Sequence, residues 1–327
     1  MNLQYTKKFF WTTTTLIMVG MSLIVVSILF IQKPALRCAM QYDFINANVV
    51  CNDKASISKA GYAKTQDEIL QYINGQKQQG NADSVSVYFR DLEDGPIFGI
   101  EETAPFVPAS LLKLPLSLVF FRIAEESPSI LEEKIVFQGS KIAFDQFYKP
   151  ARTLVPNTVY TVEELIERTL VDSDNDAYLL LYEHLENTNR FNLIKQTFLE
   201  LGILSPNDQY DEIISVRRYA SIFRALYNAS FVKPEYSEKL LNWMSGTDFV
   251  YGLDSKLHGD AKISHKFGER SLENGVKQLH DCGIIYYPNN PYLLCVMTKG
   301  SDYEKLHSVI SSISEIVYKE VNGRKIQ

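Results

Sequence analysis

The spacing of apolar and polar residues predicts a folded region that begins with a helix and a β-hairpin. Over residues 65–80, apolar side chains recur on one helical face, and Thr65–Glu68 fits a capping box. Apolar and polar residues then alternate over 84–89, which predicts a strand with two unlike faces. The dipeptide Asp94-Gly95 predicts a tight turn, after which a second strand returns over 97–101.

The rest of the chain changes from helical to strand periodicity and back. An almost wholly apolar helix is predicted over 110–125, and a predominantly helical stretch follows over 129–244, with a second capping box at Thr161–Glu164. The tail is predicted to contain strands at 261–267, 275–287 and 291–299 and a closing amphipathic helix at 301–320. This order predicts an α/β fold, in which an antiparallel sheet is flanked by helices and carries an inserted all-helical lobe. A cleft is expected between the two lobes.

The N-terminus differs in composition from everything that follows. Residues 9–31 are apolar apart from small and hydroxyl-bearing side chains, and a helix of that length would span about 30 Å of hydrocarbon. Lys7 and Lys8 precede the run, which predicts an N-terminus inside and the rest of the chain outside. A cleavable signal peptide is the alternative, but no small-x-small cleavage site follows the run cleanly.

We therefore expect a single-pass protein of the cell membrane. Residues 1–31 are predicted to form a cytoplasmic stub and a transmembrane signal-anchor. An extracytoplasmic linker is predicted over 32–63, followed by a folded domain over 64–327 on the extracytoplasmic side.

Charge and cysteine content exclude some classes of partner. The formal net charge is -6 at pH 7 and no basic stripe is present, so nucleic acid is not an expected partner. No Cys/His spacing indicates a metal site, and no cofactor is predicted. Cys282 and Cys295 lie on either side of a predicted hairpin turn and are expected to be buried thiols. Cys38 and Cys51 lie in the linker, where a disulfide is chemically permitted.

Candidate chemistry begins with Ser110 and Lys113 at the start of the apolar helix. Their spacing puts both side chains on one face, and the free N–H groups of a first helical turn would stabilise negative charge at Ser110. Burial in so apolar a helix favours a neutral amine, which makes Lys113 a candidate base. The alternative is an N-cap serine beside a solvated lysine. Pro115 in the second turn breaks a helix rule next to the candidate nucleophile, which favours the catalytic interpretation.

Two further polar triplets follow at intervals along the chain. Ser173-Asp174-Asn175 separates two predicted helices, where helix capping is the ordinary role of such residues. Lys266-Phe267-Gly268 ends a predicted strand, where a lysine is usually a surface residue. Each triplet alone is weak, but the three motifs in this order, each in a fitting context, indicate one shared site.

Together the three motifs resemble the active site of the penicillin-recognising serine enzymes, and the chain looks most like the class A β-lactamase-like serine hydrolases over about residues 65–320. This resemblance implies a β-lactamase/transpeptidase-like fold and an acyl-serine mechanism. The catalytic residues that it implies are Ser110, Lys113, Ser173 and Lys266, and the implied substrate-binding residues are Asn175, Gly268 and Glu269.

The resemblance also implies a role for most of these groups. The serine of the second motif relays a proton to the leaving nitrogen, and Asn175 contacts the substrate amide and the lysine, while Asp174 holds the loop by backbone hydrogen bonds. A glycine at position 268 lets a ligand approach the backbone closely. The N–H of Glu269 is then the second oxyanion donor beside that of Ser110.

The chain departs from the family pattern at two places. A Thr or Ser usually follows the lysine of the third motif and binds the carboxylate of the substrate, whereas Phe267 has no hydroxyl. Class A enzymes carry a Glu-x-x-Leu-Asn loop between the second and third motifs, and its glutamate activates the deacylating water. No such sequence is found here over residues 198–218. Asp208, Asp211 and Glu212 are the candidate substitutes.

Several functions stay open at this point. The first is hydrolysis of β-lactams, and the second is a D,D-peptidase or acyl-transferase acting on cell-wall stem peptides, which resembling enzymes manage without that glutamate. The third is a covalent β-lactam sensor that is acylated and turns over little. A scaffold with a decayed site fits less well, because the polar residues of all three motifs are retained. The expected partners are a small β-lactam or a cell-wall peptide and, through residues 9–31, the membrane.

Overall fold

The computed structural model of the 327-residue chain describes residues 42–46, 61–93, 95, 97–142, 146–204, 213–257 and 261–324. The predicted membrane segment and the predicted base substitutes at 208, 211 and 212 lie outside these residues, as do the two linker cysteines. Among the helices of the described residues, none is long and apolar enough to cross a membrane.

A five-stranded antiparallel sheet lies at the centre of the fold. The strands of the described residues are β1 (Ser84–Asp91), β2 (Ile97–Ile100), β3 (Lys134–Phe137), β4 (Thr158–Thr161), β5 (Lys262–Ser271), β6 (Lys277–Tyr286) and β7 (Tyr292–Gly300). The large sheet has the order β2-β1-β7-β6-β5, so β5 is an edge strand. β3 and β4 form a separate two-stranded hairpin inside the region that was predicted to be helical, which that prediction did not include.

Helices cover the sheet and build a separate lobe. They are α1 (Ala63–Gln78), α2 (Lys113–Glu126), α3 (Val162–Val171), α4 (Asn175–Asn187), α5 (Asn192–Glu200), α6 (Val216–Tyr227), α7 (Pro234–Met244) and α8 (Tyr303–Arg324). α1 and α8 pack together, and α8 covers β6 and β7, where apolar side chains of the strands and helices form one core. α6 packs against β7, β1 and β6. The predicted architecture, an antiparallel sheet flanked by helices with a helical lobe, is confirmed.

The two predicted capping boxes have different outcomes. α1 begins at Ala63, ahead of Thr65, whose buried hydroxyl has no hydrogen-bond partner, so the capping box predicted there is wrong. The box at the start of α3 is confirmed, because the Thr161 hydroxyl accepts from the N–H of Glu164 and the Glu164 carboxylate accepts from the N–H of Thr161. Only the second box coincides with the point where the helical dihedral angles begin.

The helix that carries Ser110 begins later than its apolar pattern predicts. Ser110 lies in a 3-10 turn, Ala109–Leu112, and α2 begins at Lys113. Pro115 therefore lies in the first turn of the α-helix, where a missing N–H costs little, and the prediction that it breaks a helix rule is wrong.

The proline still has a structural consequence one turn earlier. Because Pro115 lacks an N–H, it cannot donate to the carbonyl of Leu111, four residues before it. The hydroxyl of Tyr219, a fully buried residue of α6, donates to that carbonyl at 3.0 Å. This hydrogen bond ties α6 to the turn that carries Ser110.

The expectation of two buried thiols at Cys282 and Cys295 is wrong. The two residues lie directly opposite each other on β6 and β7, with Cα atoms 4.0 Å apart, and they form a disulfide. Sequence spacing predicts the hairpin but not its register, and the register is what brings the two sulfur atoms together.

Part of the predicted linker belongs to the folded unit. Residue contacts join Phe44–Gln327 into one unit, in which the backbone N–H groups of Phe44 and Ile45 donate to the carboxylate of Glu238 on α7 at 2.9 Å and 3.1 Å. The side chains of Phe44 and Ile45 are buried.

We expect Tyr219→Phe to lower the free energy of unfolding by about 1–3 kcal/mol, because the Leu111 carbonyl would be buried without its hydroxyl donor. Pro115→Ala supplies an N–H that can reach this carbonyl, so the loss should be smaller in the Pro115→Ala background. Urea denaturation of the four proteins of this double-mutant cycle measures both effects. Equal losses in the two backgrounds would contradict the link between Pro115 and Tyr219.

Candidate active site

A cleft of about 990 Å³ lies along the edge strand β5 and the turn that carries Ser110. Four of the predicted site residues line it: Ser110, Lys113, Asn175 and Glu269. The other three, Ser173, Lys266 and Gly268, are buried. The structure thus brings the three sequence motifs together around one cleft.

Ser110 is held by a strained, closed turn. The preceding residue, Ala109, has a φ of +50°, a left-handed conformation that is uncommon for a residue with a side chain. The N–H of Lys113 donates to the carbonyl of Ser110, which closes the 3-10 turn. In such a turn residues three apart lie on one face, so Ser110 and Lys113 share a side of the turn, as their spacing predicts. Ser110 is half-buried and faces the cleft.

The amine of Lys113 is buried and contacts three oxygen atoms of the second motif. It donates to the carbonyl of Ser173 at 2.5 Å, to Oδ1 of Asn175 at 2.7 Å and to Oγ of Ser173 at 3.1 Å. The side chain is 2% exposed, so the three oxygen acceptors replace its hydration. The alternative interpretation of a solvated lysine is therefore wrong for this residue.

The second motif is shaped to present these oxygens. Ser173 has a φ of +52°, which turns its carbonyl and hydroxyl toward Lys113. Asp174 is the N-cap of α4, and its Oδ1 accepts from the N–H groups of Asp176 at 2.8 Å and Ala177 at 3.0 Å. The expectation that Asp174 holds the loop by backbone hydrogen bonds is confirmed.

The third motif supplies a second buried amine on the same hydroxyl. Nζ of Lys266 donates to Oγ of Ser173 at 2.9 Å and to the carbonyl of Phe267 at 3.1 Å. The Ser173 hydroxyl therefore lies between the amines of Lys113 and Lys266. Lys266 lies inside β5, not at its end as predicted, because the strand continues to Ser271.

Burial lowers the pKa of both amines. The pKa of Lys113 falls well below its usual range, chiefly through burial and then through the charge of Lys266, while Asp174 and Glu269 oppose the shift. Burial lowers the pKa of Lys266 to about 7, against the attraction of Asp281 and Glu269. Two such amines beside one hydroxyl favour an arrangement in which one is neutral and can accept a proton.

Gly268 lies against the turn that carries Ser110. A Cβ atom at this position would lie 2.8 Å from the carbonyl oxygen of Pro108 and 3.0 Å from Cγ of Leu111. The absence of a side chain therefore allows β5 to pack directly against the turn that carries Ser110. The glycine accommodates this part of the protein, while close approach of a ligand to its backbone stays a prediction.

Phe267 belongs to the core of the protein. Side chains alternate along β5, so Phe267 lies on the opposite face of the strand from positions 266 and 268. Its ring stacks on that of Phe249, with centroids 3.9 Å apart. Tyr148 contacts its edge at a centroid distance of 6.0 Å. Aromatic packing thus fills the place of the side chain that carries a hydroxyl in the resembling family.

Glu269 contributes a carboxyl group that the sequence analysis did not use. That analysis assigned a role only to its backbone N–H. The side chain is half-buried in the cleft wall, where Oε1 accepts from the N–H of Tyr148 at 3.1 Å and the buried Oε2 has no partner. Burial raises the pKa of Glu269 to about 7, while the Tyr148 N–H and the charges of Lys113 and Lys266 oppose the shift. Its position directly after the third motif was the available signal.

A buried hydrogen bond between β5 and β6 was also not anticipated. Nδ1 of His265 lies 2.9 Å from both carboxylate oxygens of Asp281 on β6, and Oδ2 of Asp281 accepts from the N–H of Leu253 at 2.8 Å. The charge of Asp281 acts to raise the pKa of the neighbouring Lys266. The pairing depends on strand register, which the sequence pattern does not give.

Within the described part of the chain, no group of three or more His, Cys, Asp or Glu side chains is arranged to hold a metal ion. The site consists of the half-buried hydroxyl of Ser110, two buried amines bridged by a second hydroxyl, one amide and one carboxyl group.

The fold is shared with known serine enzymes at low sequence identity. PBP-A matches with a TM-score of 0.66 and 22% identity, over 83% of this chain and 100% of that chain. The extended-spectrum β-lactamase TLA-3 matches with a TM-score of 0.67 and 18% identity, over 80% and 99% of the two chains. A class A β-lactamase from Bacteroides cellulosilyticus matches with a TM-score of 0.65 and 19% identity, over 79% and 99%.

A search of curated proteins found no match. A sequence profile described as the Beta-lactamase enzyme family matches residues 64–321, which is most of the chain and includes all three motifs. The family predicted from the motifs is confirmed, and the chain belongs to the β-lactamase enzyme family.

Proposed function

We propose that the protein is a membrane-anchored, extracytoplasmic serine hydrolase that opens β-lactam amides through an acyl intermediate on Ser110. The observation that carries the proposal is the Ser173 hydroxyl, which lies between the buried amines of Lys113 and Lys266 beside the Ser110 turn. This arrangement can take a proton from one oxygen and deliver it to a nearby nitrogen, as acyl transfer from an amide requires.

Acylation begins with the neutral form of Lys113. Its amine takes the proton of the Ser110 hydroxyl, and the oxygen attacks the carbonyl carbon of the amide. The N–H groups of Ser110 and Glu269 donate to the resulting oxyanion, and one such donor is typically worth about 3 kcal/mol. The low pKa of Lys113 supports this role, because a lysine that is protonated at neutral pH cannot act as the base.

Collapse of the intermediate breaks the bond between the carbonyl carbon and the amide nitrogen. Ser173 donates its proton to the departing nitrogen and is reprotonated by the ammonium of Lys113 or Lys266, to which it is hydrogen-bonded. The products of this step are an ester on Ser110 and a free amine. Attack of water on the ester then releases a carboxylic acid and restores the Ser110 hydroxyl.

A D,D-peptidase or acyl-transferase acting on cell-wall stem peptides is the second candidate. Two observations favour it. The Glu-x-x-Leu-Asn string at 238–242 lies on α7, where the Glu238 carboxylate accepts from the N–H groups of Phe44 and Ile45 and does not line the cleft. Phe267 offers no hydroxyl to a β-lactam carboxylate. A PBP-A mutant, whose fold is similar at 21% identity, has been crystallised as an acyl-enzyme complex with penicillin G. If deacylation is slow in this protein, it would act as a β-lactam-binding sensor with little turnover.

The proposed location follows from the apolar run at residues 9–31 and the lysines before it. A signal-anchor would hold the catalytic domain close to the outer face of the membrane. Cell-wall peptides and incoming β-lactams are both present on that side.

We expect Ser110→Ala to abolish covalent labelling by a fluorescent penicillin, because the attacking oxygen is removed. Intact-mass spectrometry of the full-length protein measures the adduct, with Ser271→Ala as a control that removes another hydroxyl of the same cleft. Labelling of Ser110→Ala at the wild-type level would rule out Ser110 as the nucleophile.

We expect Lys113→Ala to slow acylation about 10²–10⁴-fold at neutral pH, because the general base is lost. In the wild-type protein the acylation rate should rise with pH as Lys113 loses its proton, with a midpoint well below the usual lysine range. Stopped acylation reactions followed by mass spectrometry give both results. A wild-type acylation rate in the variant would make the lysine a structural residue only.

We expect the wild-type protein to stay with the membrane fraction after an alkaline carbonate wash, because a spanning helix is held by the hydrocarbon core. Protease added to intact spheroplasts should digest the domain over 64–327 and spare the stub before residue 9. Release of the protein by the wash, or protection of the domain, would contradict the proposed topology.

A further inference from the structure

The cleft continues past the reacting groups, along the last residues of β5. In the proposed function the N–H of Glu269 donates to the oxygen of the attacked carbonyl, and Ser173 delivers a proton to the departing nitrogen. Ser173 is hydrogen-bonded to Lys266, so the leaving group lies toward that part of the strand. The acyl part of the substrate then extends the other way, past Arg270 and Ser271, which line the cleft. This inference rests on the proposed function and adds a substrate class to it.

Cations predominate along this part of the cleft wall. Arg270 and Lys277 line it, whereas Glu269 is the only acidic side chain among the described lining residues. The third cation on the wall, Lys141, forms an ion pair with Glu183 at 2.8 Å. Among the described residues, no carboxylate lies within ion-pair distance of the Arg270 guanidinium or the Lys277 amine. These two cations are therefore available to a negative group of a ligand.

The amine of Lys277 is held at the wall by its surroundings. Lys277 is the first residue of β6 and lies directly opposite Ser271, so the two side chains share a face of the sheet. The side chain is half-buried, and its Nζ lies over the ring of Tyr303, 5.2 Å from the centroid. The Tyr303 hydroxyl and Oγ of Ser271 are hydrogen-bonded at 3.0 Å. A strand position and an aromatic ring thus fix the place of this charge.

The acidic groups near Lys277 do not neutralise it. Asp302 interacts with its charge, but the Asp302 carboxylate accepts from the N–H of Lys305 at 3.1 Å and forms no ion pair with Lys277. Burial raises the pKa of Glu269 to about 7, so this carboxyl group carries only part of a charge near neutral pH. Its Oε1 accepts from the N–H of Tyr148, and its Oε2 is buried.

Arg270 approaches the same end of the cleft from the other face of β5. Side chains alternate on a strand, so Arg270 projects away from the face that carries Glu269 and Ser271. The side chain is exposed and lines the cleft. Burial raises the pKa of Tyr303, and the charge of Arg270 acts against this shift, which places the guanidinium near the ring that also lies under Lys277.

The wall between the oxyanion donor and Lys277 is aromatic. Phe147 is 50% exposed and lines the cleft, and its ring centroid lies 4.8 Å from that of Tyr303. Ser271, opposite Lys277, lies two residues beyond Glu269, which is about 7 Å along a strand. An acidic group attached beside the scissile amide is too close to reach the cation. A group on an apolar arm can reach it while the arm lies on the rings.

We propose that Lys277 and Arg270 form a subsite that binds an acidic group on the acyl side of the substrate, separated from the reacting carbonyl by an apolar arm. An ammonium and a guanidinium both form charge-assisted hydrogen bonds with a carboxylate. The favoured substrate class is a peptide-like acyl donor with a carboxylate several bonds away from the scissile amide.

The test compares two penicillins that differ in one charge at the end of the acyl arm. They are 6-aminopenicillanic acid acylated with adipic acid and the methyl ester of its side-chain carboxyl group. The second-order rate of adduct formation on Ser110 is measured by intact-mass spectrometry of the full-length protein. We expect the acid to react faster than the ester, and the acid-to-ester rate ratio to fall about tenfold in Lys277→Met, which loses a charge-assisted hydrogen bond. Arg270→Gln should lower the ratio as well.

Lys262→Met is the matched control for the loss of charge. Lys262 is also a residue of β5, and its amine lies over the ring of Phe44 at 5.3 Å from the centroid, but it does not line the cleft. This variant should keep the wild-type ratio. An equal fall in Lys262→Met and Lys277→Met would show an effect of overall charge and would overturn the subsite.

A charge reversal supplies a readout that a merely structural role would not move. Lys277→Glu should react faster with a penicillin whose arm is aminocaproyl than with the adipyl compound, because the charge at the end of the arm then meets an opposite charge. The wild-type protein should show the reverse order. The same order in both proteins would contradict a direct contact between Lys277 and the arm.

The outcomes separate the two proposals. A ratio near one in the wild type, or an unchanged ratio in Lys277→Met, would overturn the subsite and leave the acyl-serine function standing. If neither penicillin forms an adduct on Ser110 in the wild type, the proposed function fails and the substrate class fails with it. Reaction of Lys277→Met with the methyl ester at the wild-type rate shows that the variant is folded. If that variant does not fold, Arg270→Gln, a change at an exposed position, decides the same question.

Discussion

The shared hydroxyl of Ser173 is the contact on which the rest of the site depends. Two lysine amines from distant parts of the chain, Lys113 and Lys266, both donate to it in a place closed to water. Burying two ammonium groups side by side is expensive, and the cost is reduced when one of them gives up its proton. A neutral amine at this place can accept a proton, which an exposed lysine would not do at neutral pH.

The strained backbone of the site follows from the same requirement. Ser173 must present both its carbonyl and its hydroxyl to Lys113, and Ala109 must direct the next residue toward the cleft, so both adopt positive φ. Asp174 stabilises the second motif as the N-cap of α4, and Tyr219 stabilises the first through the Leu111 carbonyl. Strain at the reactive groups is compensated by hydrogen bonds from the supporting helices.

The two faces of the edge strand β5 carry residues with different contacts. One face carries Lys266 and Gly268, which contact the second motif and the turn of the first. The other carries Phe267 and Glu269, which belong to the aromatic core and the cleft wall. Side-chain alternation lets Phe267 pack in the aromatic core while Lys266 reaches Ser173, although the Lys266 amine also lies 4.4 Å from the centre of the Phe267 ring. Loss of the family hydroxyl at Phe267 is therefore compatible with an intact set of catalytic groups.

The sequence by itself determined the family, the identity of the motif residues and the order of elements apart from β3 and β4. Helical and strand periodicities differ enough to be read locally, and the spacing of Ser110 and Lys113 places both on one side of a single turn. Local patterns also predicted the Thr161–Glu164 capping box and the Asp174 cap, since these hydrogen bonds span only two or three residues.

Only the tertiary structure determined which residues from distant parts of the chain contact each other. Three contacts depend on strand register or on contacts between distant segments: the disulfide between Cys282 and Cys295, the hydrogen bond between His265 and Asp281, and the packing of Gly268 against Pro108. The same holds for the two amines on one hydroxyl and for the carboxyl group of Glu269 in the cleft. A residue pattern records which face a side chain occupies, but it does not record the neighbour it meets there. Those neighbours set the pKa values of the two lysines and of Glu269, because burial and nearby charge are properties of the folded chain.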